Sequence, residues 1–173
     1  YARALAQSPH VIFASEFIRK ALDFNGIVLA RENGDWRIRG NGDLRTVRAP
    51  DSLGTPDSAG SQAVAGHHPG SEGNYVHLAG NDALLRFSAS PARPATPYLH
   101  DANARIADWQ AGSDSLRFTL KGHQPLEFTL AASPRCNVSA NGKPVKPRRV
   151  SGDLLEFRLS DAAATIETRC RDR

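Results

Sequence analysis

The chain has 173 residues, and its 40% hydrophobic content is enough for one ordinary packed domain, which excludes a wholly disordered polypeptide. The net charge is +4, and all of it lies in residues 135–173, which hold 9 basic and 5 acidic side chains. Because no apolar run approaches the roughly 18 residues that a membrane helix needs, we expect no membrane span.

The first 25 residues combine helical and strand patterns. A helical stretch at 1–7 is followed by a short buried strand at 10–14, and Ser15 is placed to cap a second helix that ends near Gly26. Helix, strand, helix is the order found at the edge of an α/β barrel, so we expect residues 1–25 to be the C-terminal remnant of a preceding barrel. The apolar stripe of the second helix consists of Phe17, Ile18, Ala21 and Leu22.

From Gly26 onward the sequence predicts short strands separated by turn residues. Asn33-Gly34 and Asn141-Gly142 are typical of two-residue hairpins, and 36–39 alternates apolar with basic side chains. About ten such strands favour a mainly β fold, an antiparallel β-sandwich or jelly roll, over residues 26–173. The other predicted strands are 44–48, 75–78, 83–87, 104–109, 115–120, 126–130, 136–140, 154–159 and 164–170.

Residues 49–74 are rich in Gly, Ser, Pro and Asp, which predicts a long mobile loop. His67 and His68 lie within it, but adjacent residues in an extended segment point in opposite directions, and no carboxylate or cysteine cluster lies beside them in the sequence. His100-Asp101 is a candidate base with its orienting acid, yet neighbouring residues rarely face each other. We therefore predict no metal site and no cofactor.

Two carboxylates are predicted on the outward faces of strands. Glu127 and Glu156 could serve glycoside hydrolysis as a pair, but outward carboxylates more simply keep a sheet face in contact with water. The sequence contains no glycine-rich phosphate loop, zinc-protease helix motif or nucleophile elbow. We predict no catalytic residue, and an independent hydrolase is the least favoured interpretation.

The two cysteines are predicted to pair. Two thiols alone cannot hold a structural zinc ion. Cys136 shares a strand face with Val138, and Cys170 shares one with Thr168, so both thiols can point inward from adjacent terminal strands. A disulfide that closes a loop of about 35 residues would stabilise the fold by about 3–4 kcal/mol in the chain-entropy model.

A basic cluster follows the second hairpin. Binding of nucleic acid would require aromatic residues interleaved with this charge, and none lies between residues 136 and 155, so we predict no nucleic-acid partner. A docking surface for an acidic partner fits the cluster better. Its members are Lys143, Lys146, Arg148 and Arg149.

Aromatic residues make up 7% of the chain, and most of them are needed in a hydrophobic core. Those that remain are candidates for stacking on sugar rings, since an exposed aromatic face binds the apolar face of a sugar. We expect such a carbohydrate-binding surface to draw on Trp36, Tyr75, Tyr98 and Trp109.

Several short segments, taken in order, resemble one known family. They are Val11–Phe24, Trp36–Arg39, Leu44–Arg48, Tyr75–Leu78, Asn103–Ile106 and Gly122–Phe128. In this order they resemble the C-terminal region of the PelA family, periplasmic enzymes of Pel exopolysaccharide biosynthesis that combine a glycoside hydrolase with a polysaccharide deacetylase. The resemblance covers most of the chain except residues 51–74, and its specificity comes from the order of the segments.

The resemblance implies that residues 1–25 end a deacetylase barrel and that 26–173 form a terminal, periplasmic β-sandwich. None of the family's metal-ligand or catalytic motifs occurs here, so no catalytic residue is carried over. It implies a non-catalytic accessory domain that binds a galactosamine-containing polymer through acetylated stretches or through the acidic residues of 101–114. The alternative is a structural or docking domain that contacts the preceding barrel or an export-machinery protein.

Overall fold

The computed structural model describes residues 14–90 and 97–170. The predicted helical stretch at 1–7 and all but the last residue of the strand at 10–14 lie outside these residues. The described chain is mainly β, with one helix followed by antiparallel sheets, which confirms the predicted fold class. No helix among these residues is long and apolar enough to cross a membrane.

The helix α1 (Ala14–Asn25) ends where the sequence predicts. The backbone N–H of Gly26 donates to the carbonyl oxygen of Leu22 at 3.0 Å. A second contact attaches the helix to the β body, since the backbone N–H of Asp43 donates to Oδ2 of Asp23 at 3.0 Å. The apolar side chains of the helix face outward, and the exposed members are Phe17, Ile18, Leu22 and Phe24.

Residues 27–88 form several small antiparallel sheets around one core, and we call them the N-terminal β unit. One sheet has the order β1-β2-β7, with β1 (Val28–Glu32), β2 (Asp35–Arg39) and β7 (Asp82–Leu85). A second has the order β3-β6-β5, with β3 (Thr46–Ala49), β5 (Val64–Gly70) and β6 (Gly73–Leu78). A short 3-10 helix (Asp51–Leu53) leads into β4 (Thr55–Pro56), which pairs with β8 (Phe87–Ser88). The core consists of Ile38, Ala49, Val76, Leu78, Ala83 and Leu85.

Residues 98–170 form a two-layered β-sandwich, the C-terminal sandwich. Its four-stranded sheet has the order β15-β16-β12-β9, with β9 (Tyr98–Ala102), β12 (Leu126–Ala131), β15 (Arg149–Ser151) and β16 (Leu154–Leu159). Its five-stranded sheet has the order β10-β11-β17-β13-β14, with β10 (Arg105–Ala111), β11 (Ser115–Lys121), β13 (Asn137–Ala140), β14 (Lys143–Pro144) and β17 (Ala163–Arg169). The described part of residues 26–173 therefore contains two hydrophobic cores, where the sequence pattern suggests a single sandwich.

The sandwich core follows from alternation along each strand. In β11 the side chains of Leu116, Phe118 and Leu120 are buried, and the residues between them face outward. The rings of Phe128 and Phe157, which are directly opposite each other on β12 and β16, stack at 4.9 Å between centroids. The inner faces of both sheets thus meet in one continuous apolar layer.

Both predicted hairpins are confirmed. Asn33 and Gly34 connect β1 to β2 with φ angles of 53° and 93°, and Asn141 and Gly142 connect β13 to β14 with φ angles of 50° and 75°. Two-residue turns with both φ angles positive match the twist of the flanking strands, and Asn and Gly adopt these angles more readily than other residues.

The prediction of a long loop over residues 49–74 is wrong. The segment contains the 3-10 helix, β4, all of β5 and the start of β6. Its glycines allow close approach of neighbouring strands, since a Cβ atom at Gly66 would lie 1.9 Å from the carbonyl oxygen of Leu99. A glycine-rich composition is typical of disorder, but here it permits tight packing of the backbone.

Candidate functional site

Side chains from both β units converge at the junction between them. His68 lies on β5, His77 on β6, and His100 and Asp101 lie on β9, an edge strand of the sandwich. We call these four residues the histidine cluster. In the β5–β6 ladder, His68 is opposite Tyr75 and His77 is opposite Gly66, so the two imidazoles project from the same face of the sheet.

The polar atoms of the cluster are within a few ångströms of one another. Nδ1 of His68 lies 3.2 Å from Nε2 of His77. The carbonyl oxygen of His100 lies 3.0 Å from Nδ1 of His68 and 3.1 Å from Nε2 of His77. Oδ1 of Asp101 lies 3.9 Å and 3.7 Å from the same two nitrogens. Two imidazole nitrogens therefore lie within 4 Å of each other, of one carboxylate oxygen and of one carbonyl oxygen.

A β-bulge directs the β9 backbone into this cluster. In the pairing of β9 with β12, Leu99 is opposite Leu130 and Asp101 is opposite Thr129, which leaves His100 as the extra residue. A bulge turns the backbone groups of the extra residue out of the regular ladder. The neighbouring N–H of Ala102 donates to Oδ1 of Asp101 at 2.8 Å.

His77 is the buried member of the cluster. Its side chain is 3% exposed, and this burial lowers its pKa to about 4, although the nearby Asp101 carboxylate acts in the opposite direction. The imidazole is therefore neutral at neutral pH and has one nitrogen lone pair to offer. Its other nitrogen, Nδ1, lies 3.2 Å from the Thr46 hydroxyl oxygen.

The remaining ring contacts hold the cluster in shape. His68 is stacked between Tyr75, at 5.2 Å between ring centroids, and His77, at 5.3 Å. His67 points away from the cluster, as expected for adjacent residues of a strand, and its Nδ1 lies 2.9 Å from the Ser58 hydroxyl oxygen. The cluster thus combines three separate segments of the chain, and the adjacent pair His67-His68 contributes only one member.

The four aromatic residues predicted to bind sugars do not form one surface. Trp36 packs on the N-terminal core beneath the Arg31 guanidinium, whose carbon lies 5.0 Å from the ring centroid. Trp109 packs against Phe118 in the other core, at 5.3 Å between ring centroids. Tyr75 stacks on His68 of the histidine cluster. The ring of Tyr98 lies against Gly66 of β5, two residues before His68. No stacking platform brings the four together.

A polar groove of about 230 Å³ runs across the outer face of the four-stranded sheet. Thr129 lies in its middle, with Asp101 opposite on one neighbouring strand and Glu156 opposite on the other. Glu127 is opposite Arg158, and their side chains form an ion pair at 3.4 Å. We call this the sheet-face groove, and its polar lining is Asp101, Asn103, Glu127, Thr129, Arg148, Glu156 and Arg158.

Two of the four residues of the predicted basic cluster, Arg148 and Arg149, lie at this groove. All four of its side chains, Lys143, Lys146, Arg148 and Arg149, belong to exposed residues. Arg148 lines the sheet-face groove, and Nη1 of Arg149 lies 3.9 Å from Oε1 of Glu156. The cluster is therefore a solvent-facing surface that extends from β14, at the edge of one sheet, to β15, at the edge of the other.

A larger groove of about 460 Å³ separates α1 from the sandwich. Its lining contains two ion pairs, since Arg105 bonds to Asp43 at 2.7 Å and His123 lies 3.6 Å from Glu16. Arg45 is half-buried here and donates to the side-chain oxygen of Asn81 at 2.7 Å. These contacts hold the helix and the two β units together.

Cys136 and Cys170 form a disulfide. The adjacent residues Asn137 and Arg169 are partners in the β13–β17 ladder, so the bond continues this strand pair at its end. Disulfides persist mainly in oxidising compartments, and this bond is compatible with an extracytoplasmic location.

No family model, curated protein or solved structure matches the chain. The similarity to the PelA family therefore stays a prediction from the order of short segments. The functional conclusions below depend on the residues of this chain and on their geometry.

Proposed function

We propose that the chain is a non-catalytic accessory domain of a polysaccharide-modifying enzyme and that it binds the polymer in the sheet-face groove. The observation that carries this proposal is the polar grid on β9, β12 and β16, where Asp101, Thr129 and Glu156 are neighbours in register. The resemblance to a deacetylase family suggests the polymer, a galactosamine-containing exopolysaccharide.

The chemistry of the grid suits a sugar. Cross-strand neighbours have Cβ atoms about 4.5–5.5 Å apart, so two adjacent side chains can bind hydroxyl groups of one ring. Glu127, Thr129 and Glu156 offer carboxylate and hydroxyl oxygens, while Arg158 and Asn103 supply N–H donors. A groove of this kind binds through hydrogen bonds and does not need an aromatic platform.

The charge of the groove supports an amino-sugar ligand. Its carboxylates Asp101, Glu127 and Glu156 outnumber its guanidinium groups, those of Arg148 and Arg158. A partly deacetylated galactosamine polymer is cationic and is repelled by a protein of positive net charge. The three carboxylates offset part of this repulsion at the binding site, where Arg149 also pairs with Glu156 from beside the groove.

The proposed location is the periplasm. The disulfide between Cys136 and Cys170 agrees with an oxidising compartment, and the family resemblance supplies the finer assignment.

A titration of the full chain with galactosamine oligosaccharides, acetylated and deacetylated, tests the proposal by NMR at two salt concentrations. We expect saturable shifts confined to the groove, stronger binding of the deacetylated ligand, and loss of binding in Glu156→Gln. Glu167→Gln is the matched control, because Glu167 pairs with Arg117 on the outer face of the other sheet. Absence of binding at millimolar ligand, or equal loss in both variants, would contradict the proposal.

A second candidate is a docking domain, favoured by the exposed basic cluster. If the oligosaccharides do not bind, an acidic partner at this surface becomes the leading hypothesis. Its binding would weaken with salt and would be lost in the double variant Lys143→Glu, Lys146→Glu, which leaves the sheet-face groove intact.

A further inference from the structure

We propose that the histidine cluster binds one divalent transition metal ion, with Zn²⁺ as the best-suited example. The ligands are Nδ1 of His68, Nε2 of His77 and Oδ1 of Asp101, and the carbonyl oxygen of His100 is placed as a fourth. The site shares Asp101 with the sheet-face groove, but the inference does not rest on the polysaccharide proposal, since it is argued from the junction between the β units.

The distances between the ligand atoms are close to those of a tetrahedral site, three of them slightly shorter and two slightly longer. Zn²⁺ bonds of about 2.0–2.2 Å at tetrahedral angles separate the ligand atoms by about 3.3–3.6 Å. The three distances among the two imidazole nitrogens and the carbonyl oxygen are 3.2, 3.0 and 3.1 Å. The carboxylate oxygen of Asp101 is slightly farther, at 3.7 and 3.9 Å from the nitrogens. Asp101 is 55% exposed, so its side chain has room to move a few tenths of an ångström inward.

The donor set selects the class of metal. Imidazole suits Zn²⁺, Cu²⁺ and Ni²⁺, whereas Ca²⁺ requires six to eight oxygen ligands and Mg²⁺ an octahedron of oxygens. Both cysteines are in the disulfide, so no thiolate of this chain competes for the ion.

The contacts around the ligands are those that metal sites use. A metal-bound imidazole generally donates its second N–H to a neighbouring acceptor, and Nδ1 of His77 lies 3.2 Å from Oγ1 of Thr46. The Asp101 carboxylate is likewise held by the N–H of Ala102. Two β-bulges, at Ala65 on β5 and at His100 on β9, direct the backbone at this site.

The same atoms have an explanation without a metal. If both His68 Nδ1 and His77 Nε2 carry protons, each can donate to the His100 carbonyl, and the Thr46 hydroxyl then donates to Nδ1 of His77. The two explanations differ in the tautomer of His77, because a metal on Nε2 requires the proton on Nδ1. NMR of ¹⁵N-labelled histidine distinguishes the two tautomers.

The decisive experiment is calorimetric titration of the tag-free full chain with ZnCl₂, alongside CaCl₂ and MgCl₂. We expect one Zn²⁺ per chain at micromolar or tighter affinity, no heat with Ca²⁺ or Mg²⁺, and a His77 proton on Nδ1 in the Zn²⁺-bound form. His68→Gln and Asp101→Asn should each lower the affinity at least tenfold. His67→Gln is the matched control, because His67 is adjacent to a ligand but bonds to Ser58 on the other face, and it should retain the affinity.

Asp101→Asn keeps the result interpretable if a histidine variant fails to fold, since the residue is exposed and Asn preserves its shape. Unchanged Zn²⁺ affinity in Asp101→Asn and His68→Gln, equal loss in His67→Gln, or a wild-type chain that binds no Zn²⁺ would each overturn the proposal. A His77 tautomer that does not change on addition of Zn²⁺, with its proton on Nε2, would overturn it as well.

Discussion

Nε2 of His77 lies 3.1 Å from the carbonyl oxygen of His100, and this contact joins the N-terminal β unit to the C-terminal sandwich. The residues belong to β6 and β9, and β5 lies between these strands at the edge of its own sheet. The edge strands β5 and β9 lie against each other. Each therefore shields the unpaired backbone N–H and C=O groups of the other strand, which could otherwise pair with another chain. A metal bound at this point would therefore link two cores, and its ligand Asp101 also lines the sheet-face groove.

Thr46 is a positioning residue for the proposed metal site. Thr46→Val removes the hydroxyl that lies 3.2 Å from Nδ1 of His77 while it preserves the shape of the side chain. Since such outer contacts are worth about 10- to 100-fold in metal affinity, we expect Zn²⁺ binding to weaken by that factor. The metal-free protein should lose about 1–3 kcal/mol in the free energy of unfolding, because Nδ1 of the buried His77 loses its hydroxyl partner. Calorimetry should show recovery in Thr46→Ser, and failure of this rescue would contradict the assigned role.

Gly66 allows β9 to approach β5. Gly66→Ala places a Cβ 1.9 Å from the carbonyl oxygen of Leu99 at a residue whose φ is +155°. We expect a loss of about 3 kcal/mol or more in the free energy of unfolding, since both the collision and the backbone conformation are unfavourable. Urea unfolding measures the loss.

Gly80→Ala is the control for this substitution. A Cβ at Gly80 would meet only the Cβ of Ala63, at 3.8 Å, so the free energy of unfolding should change by less than about 1 kcal/mol. Similar effects of the two substitutions would show that the β5–β9 approach does not depend on Gly66.

The two cores can be followed separately because each contains one tryptophan. Trp36 packs on the N-terminal core, and Trp109 packs on the sandwich core. Ile38→Ala removes a fully buried side chain from the N-terminal core and should cost about 2–5 kcal/mol there. In urea unfolding followed by fluorescence, we expect the Trp36 midpoint to fall further than the Trp109 midpoint. The measurement uses Trp109→Phe and Trp36→Phe backgrounds, and equal shifts would mean that the cores unfold as one unit.

Most of the sandwich could be predicted from sequence. Strands such as Leu154–Leu159 alternate apolar and polar side chains. Hairpins such as the one at Asn141-Gly142 have the residues that two-residue turns with positive φ angles prefer. The N-terminal unit was harder to predict, because β5 (Val64–Gly70) contains two glycines, two histidines and a proline. Its strand conformation comes from pairing with β6 and packing on β9, which are tertiary effects.

The histidine cluster could not be predicted either, because it also depends on tertiary contacts. His68 and His77 share a face only because β5 and β6 form a hairpin across Gly70 and Gly73, and the glycine-rich composition suggested a loop instead. The spacing of Gly70 and Gly73 around two central residues was the available signal for that hairpin. The approach of His100 could not be predicted, since it depends on a bulge and on the packing of two sheets.

The disulfide is expected to stabilise the sandwich more than its position near the end of the chain suggests. It links Cys136 to Cys170, 34 residues apart, and the enclosed segment contains β13 to β17, which includes three inner strands, β13, β16 and β17. Cross-linking a loop of this length restricts the unfolded chain and contributes about 3–4 kcal/mol in the chain-entropy model. We expect the double variant Cys136→Ser, Cys170→Ser to lose about this amount in urea unfolding. Wild type treated with reductant should unfold at the same urea concentration as the variant, and a variant as stable as the oxidised wild type would contradict the prediction.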